Sequence, residues 1–343
     1  MAIDCGVLFG FRNPPFKKRP WTDVYRDELD LIVESEKLGY GHVWLTEHHF
    51  AADGYSPSLM AIAGAVAART SRIRIGTFVV LLPLHDPIAV AEDAATVDII
   101  SNGRFDLGVG QGYVPYEFDP RGIRHDQRAR RMEEGLHVLR GLLGGEKFSF
   151  QGEHNHLDNI QIAPPPVQAN LPIWVGARAD KAIDRAARLG FHFASVGVGH
   201  HRAKYIAALK RHGRDPADFK ILQLVLCYCA DTHERAWDDI ADGFHHVLKY
   251  YHDWAVASGD ITGDVEGQAV PTPAQFRKEQ KGEFFGEPAF VGTPDEVRAG
   301  LQDYLARSPG SHLVTYMSMP GNDPKKTLRS MELFARHVMP KLG

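Results

Sequence analysis

The sequence predicts a (β/α)8 TIM barrel with insertions. Three observations carry that reading. Eight short apolar runs of strand length recur along the chain, each is followed by sequence of helical periodicity, and the alternation persists over nearly the whole length. Strands alternating with helices build βαβ units and a parallel sheet, and eight such units close into a barrel. The chain has 343 residues, 44% of them hydrophobic, which is enough for a large core. Barrels of this class commonly reach such a length as one domain, so 1–343 is read as a single domain.

The predicted strands are 3–9, 43–46, 73–81, 105–109, 173–176, 192–196, 221–229 and 313–317, each a short apolar run followed by helical sequence. Helix starts are marked by Ser56-Pro57, Asp86-Pro87, Asp215-Pro216, Thr293-Pro294 and Asp323-Pro324. In each pair a capping side chain precedes a proline suited to the first helical position, where the missing N–H would be unpaired anyway. Thr293 with Glu296 makes a capping box. Gly39 and Gly190 mark helix ends. Two segments break the alternation: 144–171, holding Pro164-Pro165-Pro166, and 259–288, rich in Gly, Pro and charge. Long irregular segments of this kind are usually lids or binding loops.

Composition excludes several classes. With 39 basic and 43 acidic residues the net charge is -4, so nucleic acid and anionic membrane are not expected partners. No apolar run approaches the roughly 20 residues of a membrane span. The start Met1-Ala2-Ile3-Asp4-Cys5 lacks the basic and apolar regions of a signal peptide. An odd count of three cysteines, Cys5, Cys227 and Cys229, suits a reducing compartment, and a cytoplasmic location is expected. Cys227 and Cys229 share one strand face and read as small core hydrophobes.

Chemistry concentrates where strands end. Val43-Trp44-Leu45 runs straight into Glu47-His48-His49. In a parallel α/β protein, the carboxyl ends of strands face the ligand. Imidazole is the side chain whose ordinary pKa, about 6.5, lies nearest working pH. The run 105–109 likewise leads into Gln111-Gly112-Tyr113, and Gly108, Gly110 and Gly112 leave room for a flat ligand against the backbone. That spacing is not the dinucleotide G-x-G-x-x-G. Arg104 precedes its strand and so belongs to the lower face, where residues serve stability. The pairs His200-His201, His154-x-His156 and His245-His246 have no carboxylate or cysteine at ligand spacing, and no metal is expected. Tyr250-Tyr251 and Trp254, at helical spacing, read as packing or a dimer contact.

Glu47-His48-His49-Phe50, Val79-Val80-Leu81-Leu82-Pro83, Ser101-Asn102-Gly103-Arg104-Phe105 and Phe290-Val291-Gly292-Thr293-Pro294 resemble the bacterial luciferase-like flavin monooxygenases. So does the tail from Met331-Glu332-Leu333-Phe334 to Val338-Met339-Pro340, and the motifs follow the family order. The resemblance implies a barrel, usually dimeric, in which reduced flavin mononucleotide (FMN) reacts with dioxygen to a peroxide adduct that attacks a small organic substrate. A separate flavin reductase would supply the reduced flavin. His48 matches the family's catalytic histidine, with Glu47 and His49 orienting it. Arg128 or Arg131 matches the phosphate arginine. The turn Gly176-Ala177-Arg178-Ala179 matches the other phosphate loop, although it lacks the family's hydroxyl residue. Phe78-Val79 matches a non-proline cis peptide under the flavin ring.

The chain departs from luciferase at Gly110 and Gln111, where that enzyme has cysteine and arginine, so a dark reaction is expected rather than light emission. The rival readings are a deazaflavin-dependent dehydrogenase or reductase of the same fold, a non-catalytic flavin-binding subunit, and a metal-dependent hydrolase using Glu47, His48 and His49. The segment 259–288 is read as a lid over the flavin, because Trp254 precedes it and Phe284-Phe285 lie near its end.

Overall fold

The computed structural model describes residues 3–196, 199–259 and 269–342. Eight parallel strands close on themselves: β1 (Asp4–Phe9), β2 (His42–Leu45), β3 (Arg74–Thr77), β4 (Phe105–Gly110), β5 (Ile173–Gly176), β6 (His192–Val196), β7 (Ile221–Cys229) and β8 (His312–Tyr316). Each pairs with the next, and β8 returns to β1. The main helices are α1 (Trp21–Lys37), α2 (Leu59–Arg69), α3 (Pro87–Ser101), α4 (Arg128–Leu143), α5 (Asp180–Leu189), α6 (Gly199–Arg211), α7 (His233–Ser258), α8 (Pro294–Arg307) and α9 (Pro324–His337).

Strand alternation sorts the two layers of the core. On β2, Val43 and Leu45 pack outward among the helices, while Trp44 packs inside the barrel with Leu8, Trp174, Leu222 and Val314. The two indoles meet edge-on, with centroids 5.5 Å apart. Gly76 is what admits Trp44, because a Cβ there would lie 2.3 Å from the indole. Arg104 knits the lower face by donating to the carbonyls of Ala67, Thr70 and Ile73. Cys227 and Cys229 are buried, unpaired core residues.

Three expectations needed correction. The predicted strand 73–81 is two pieces: β3 stops at Thr77, Phe78–Val79 is a cis peptide, and Val80–Leu81 then pairs with β4. Leaving the ladder turns Phe78 and Val79 into the barrel mouth. Ser56 caps no helix; its hydroxyl donates to the Gly10 carbonyl, and α2 begins at Leu59. The segment 144–171 contains the hairpin Phe148–Gln151/His156–Ile160 and lines no part of the mouth cavity. It is pinned to α4 by Glu134, which accepts from the backbone N–H groups of Glu153, His154 and Asn155. Asp86, Thr293 and Asp323 do cap α3, α8 and α9.

Of the expected lid, 260–268 lie outside the described residues. Its described remainder forms a short helix, Pro273–Glu279, and the ribbon Glu283–Phe284/Glu287–Pro288.

Candidate active site at the barrel mouth

The upper ends of the strands enclose a cavity of about 450 Å³, a size suited to a cofactor or drug-sized ligand. It has three regions: an imidazole flank, an apolar floor and a cationic end.

On the imidazole flank, His48 follows β2 and its N–H donates to the Tyr55 carbonyl. Its Nδ1 lies 3.1 Å from Glu117 Oε1, which also accepts the His49 N–H at 2.7 Å. An ionised carboxylate only accepts, so the His48 proton belongs on Nδ1, and Nε2 is left free to exchange a proton. Glu117 sits in the short helix Pro115–Phe118, and its Oε2 is buried with no partner. Trp254 lies against the His48 ring, with centroids 4.1 Å apart and planes tilted by 31°, and Tyr55 meets the ring edge-on at 4.8 Å. The Tyr55 and Tyr251 hydroxyls are 2.5 Å apart. Burial pushes Tyr113 and Tyr251 well above the usual phenol range, so both remain hydroxyl donors at the cavity wall.

Beneath this wall Arg12 is fully enclosed. Its guanidinium lies 4.1 Å from the Tyr55 ring centroid, and its Nε donates to Asp53 at 2.6 Å. His246 meets the same Asp53 oxygen at 2.8 Å.

Glu47 lines the cavity but is committed to its neighbours. Burial would raise its carboxyl, yet hydrogen bonds from His49 and His85 hold it down at about 2. His49 does not reach the cavity; Arg121 donates to its Nδ1 at 3.1 Å. A guanidinium cannot accept, so His49 carries its proton on Nε2, toward Glu47.

This bears on metal binding. Glu47, His49 and His85 are close enough to share an ion, as are Asp4, His42 and His312 at the lower face. In the upper trio the His49 nitrogen facing Glu47 is occupied by a proton, and so is His42 Nε2 in the lower one. Trp44 Nε1 donates to His42 Nδ1 at 2.5 Å, which leaves the proton of His42 on Nε2. These imidazoles act as donors, and a metal would have to displace both protons.

The floor is formed by Phe78, Val79, Gly110 and Gly176, with Leu8 and Leu224 from β1 and β7. At the cationic end stand Arg128, Arg178, Ala179 and His201. Ala179 immediately precedes α5, where free N–H groups favour an anion. Buried nitrogens without partners accumulate here: Arg128 Nε, Arg185 Nε and His201 Nδ1. Gln111 lines the cavity and accepts from Arg185 at 2.7 Å, so α5 brings a buried cation to the position where luciferase has its arginine.

A luciferase-like monooxygenase family model matches residues 3–312. The chain belongs to the luciferase-like monooxygenases. It is 30% identical to 4-hydroxyprotoasukamycin monooxygenase of Streptomyces nodosus subsp. asukaensis, across 98% of this chain and 92% of that one. It is 28% identical to the F420-dependent glucose-6-phosphate dehydrogenase of Amycolatopsis mediterranei, across 92% and 94%. The oxygenating constituent of 3,6-diketocamphane monooxygenase from Pseudomonas putida, solved with FMN, superposes with a TM-score of 0.82 at 19% identity, covering 100% and 99%. That likeness shows the shared barrel.

Of the site residues predicted from this luciferase-like sequence, ten line the cavity: His48, Glu47, Phe78, Val79, Gln111, Tyr113, Arg128, Gly176, Arg178 and Ala179. His49 and Arg131 do not. His49 is turned into the Glu47 network, and Arg131 has its Nε buried with no partner. The packing read for Tyr250, Tyr251 and Trp254 is what the structure has, with Trp254 buried beside Tyr55 and Val114 and with Tyr250 and Tyr251 against it; in addition Tyr251 lines the cavity and Trp254 lies on the His48 ring. Glu117, Tyr55, Arg12 and His201 were missed. Glu117 showed only as the carboxylate in Tyr116-Glu117-Phe118 and His201 only as half of a His-His pair, and nothing in the sequence singled out Tyr55 or Arg12. No helix among the described residues is long and apolar enough to cross a membrane.

Proposed function

We propose that this chain is the oxygenase of a two-component system, using reduced FMN and dioxygen to insert oxygen into a small organic substrate. One observation carries the reading: a single cavity joins a carboxylate-oriented imidazole to a cationic end, across an apolar floor. An isoalloxazine ring suits the floor of Leu8, Val79 and Leu224. The partnerless nitrogens of Arg128 and Arg185, with Arg178 and the α5 N-terminus, suit its phosphate.

When bound, reduced flavin supplies the electrons that activate dioxygen. The protein's own part is to move protons and exclude water. Glu117 holds His48 in the tautomer that leaves Nε2 available, so His48 accepts a proton from the substrate or returns one to the departing oxygen. Tyr113 and Tyr251 donate hydrogen bonds to oxygen within the cavity. Trp254 and Phe285 shield the reacting face. We further read the chain as one catalytic unit over 1–343, a cytoplasmic homodimer served by a separate flavin reductase, with 259–288 as its lid, of which 260–268 lie outside the described residues.

The F420-dependent relative supports a second reading, a deazaflavin-dependent dehydrogenase. Anaerobic titration with reduced FMN, followed by a pulse of dissolved dioxygen, separates the two. Tight binding and slow reoxidation with little free hydrogen peroxide support the oxygenase. Weak binding, or immediate reoxidation with stoichiometric peroxide, favours the dehydrogenase.

A further inference from the structure

We propose that His201 contacts the terminal phosphate of FMN and takes up a proton as that phosphate binds, which links cofactor affinity to pH and favours a phosphate monoester over a diester. The proposal rests on the flavin reading above and adds a residue and a linkage to it.

The geometry comes first. His201 lies in the first turn of α6, is only 6% exposed, and lines the cavity beside Arg178 and Ala179, with Arg128 in the same lining. Its Nδ1 is buried and has no hydrogen-bond partner. Arg178 and Asp180 face it from the turn into α5, and His200 and Lys204 from its own helix. The one carboxylate among them is committed elsewhere, because Asp180 accepts from Lys204 Nζ at 2.6 Å. An enclosed imidazole with a spare nitrogen and cationic neighbours lacks an anion.

The free protein therefore keeps the ring neutral: burial, with His200, Arg178 and Lys204, pushes it down to about 4. An arriving dianion reverses the balance by supplying the missing acceptor and offsetting the cations. A phosphate monoester carries about -1.5 to -2 at pH 7, with its second pKa near 6, so above about pH 7 the ester is already ionised and the linked proton is the one that His201 takes up from solvent. A diester carries only one charge and so offsets the cations around His201 less.

The test is the dissociation constant of oxidised FMN, with riboflavin as the phosphate-free control, for the wild type and His201→Gln at about pH 7 and pH 8.5. Flavin fluorescence provides the affinity, and calorimetry in two buffers of different ionisation enthalpy provides the proton count. We expect wild-type FMN affinity to fall about 5- to 10-fold over this range with net proton uptake at the lower pH. Riboflavin should show no such trend, and His201→Gln should bind FMN with a flat profile and no uptake. A flat wild-type profile, or the same slope in the variant, overturns the role of His201 while leaving the flavin reading standing. No FMN binding by the wild type, or equal affinity for FMN and riboflavin, removes the phosphate reading and this proposal with it.

Discussion

The two ends of the barrel each carry a cluster of histidines, and the clusters are built in opposite ways. At the upper end the cluster that follows β2 is paired with carboxylates: His48 has Glu117, and His49 and His85 share Glu47. At the lower end His42, His192 and His312 crowd around the floor tryptophans. The carboxyl near His42 and His312 is Asp4, whose side chain is 41% exposed and 3.8 Å from each of the two rings. Burial pushes His42 and His312 down to about 3 and His192 to about 4. One residue type is thus held against carboxylates above and kept neutral in the core below, and its surroundings decide which.

The largest expected effect belongs to His48. His48→Ala should lower turnover about 10²- to 10⁴-fold, the usual worth of a general acid–base. FMN affinity should stay within about threefold if, as proposed, its anchors are Arg128, Arg178 and the α5 N-terminus at the other end of the cavity. Undiminished activity would instead support the non-catalytic flavin-binding subunit. Glu117→Gln comes next. It keeps the shape but lets an amide face His48, which no longer fixes the Nδ1–H tautomer. Turnover should fall on the order of 10- to 100-fold, and the pH–rate profile should shift. An unchanged profile would reduce Glu117 to a structural contact of the His49 N–H.

How much of this was legible follows the same division. All eight barrel strands could be read from apolar runs, because a strand buried on both faces needs nothing more. Glu47 and His48 could be read because they directly follow a strand, as could the resemblance carried by their neighbours. Glu117 could not, since it meets His48 across 69 residues of chain through a short helix that no periodicity announces. Arg12 and Asp53 are separated by 41 residues and meet only once the barrel closes. The break at Phe78–Val79 could not be read from the apolar run, since 73–81 looks like one good strand; only the resemblance pointed to a cis peptide there, and the structure has it.

Acid should separate the two ends further. Each lower histidine has a folded pKa below its unfolded value of about 6.5. Between the two values the unfolded chain binds a proton that the native state does not, so the stability is complete above pH 6.5 and is lost as pH falls toward 4 and 3. Each such group contributes a slope of about 1.4 kcal/mol per pH unit inside its window. Glu47 acts lower: its depressed carboxyl stabilises above its unfolded value near 4.5, and that stability is lost as pH falls through about 2. Urea unfolding between about pH 6.5 and 5 should therefore carry the slope of the lower cluster together with that of His201, also held at about 4, and, with the opposite sign, that of Glu28, raised to about 7 by burial. His192→Gln should flatten the slope by about 1.4 kcal/mol per unit; identical slopes would show that His192 charges freely in the native state.

The smallest effect tests whether the two ends are independent. Ser311 is a lower-end hinge of hydrogen bonds: its hydroxyl accepts from the Ile221 N–H at 2.9 Å, donates to the Ile221 carbonyl at 3.1 Å and meets His312 Nδ1 at 2.9 Å. Ser311→Ala removes all three and leaves a partly buried N–H and an imidazole short of a partner. Such a loss costs about 1–3 kcal/mol, or a melting shift of a few degrees in a chain of this size. The cavity lies at the other end of the strands, beyond Trp44 and Trp174. A rigid, close-packed barrel should confine the damage, so turnover and FMN affinity should both stay within about twofold. A larger change in either would mean that the tryptophan layer transmits displacement along the strands and that the lower histidines help to set the position of His48.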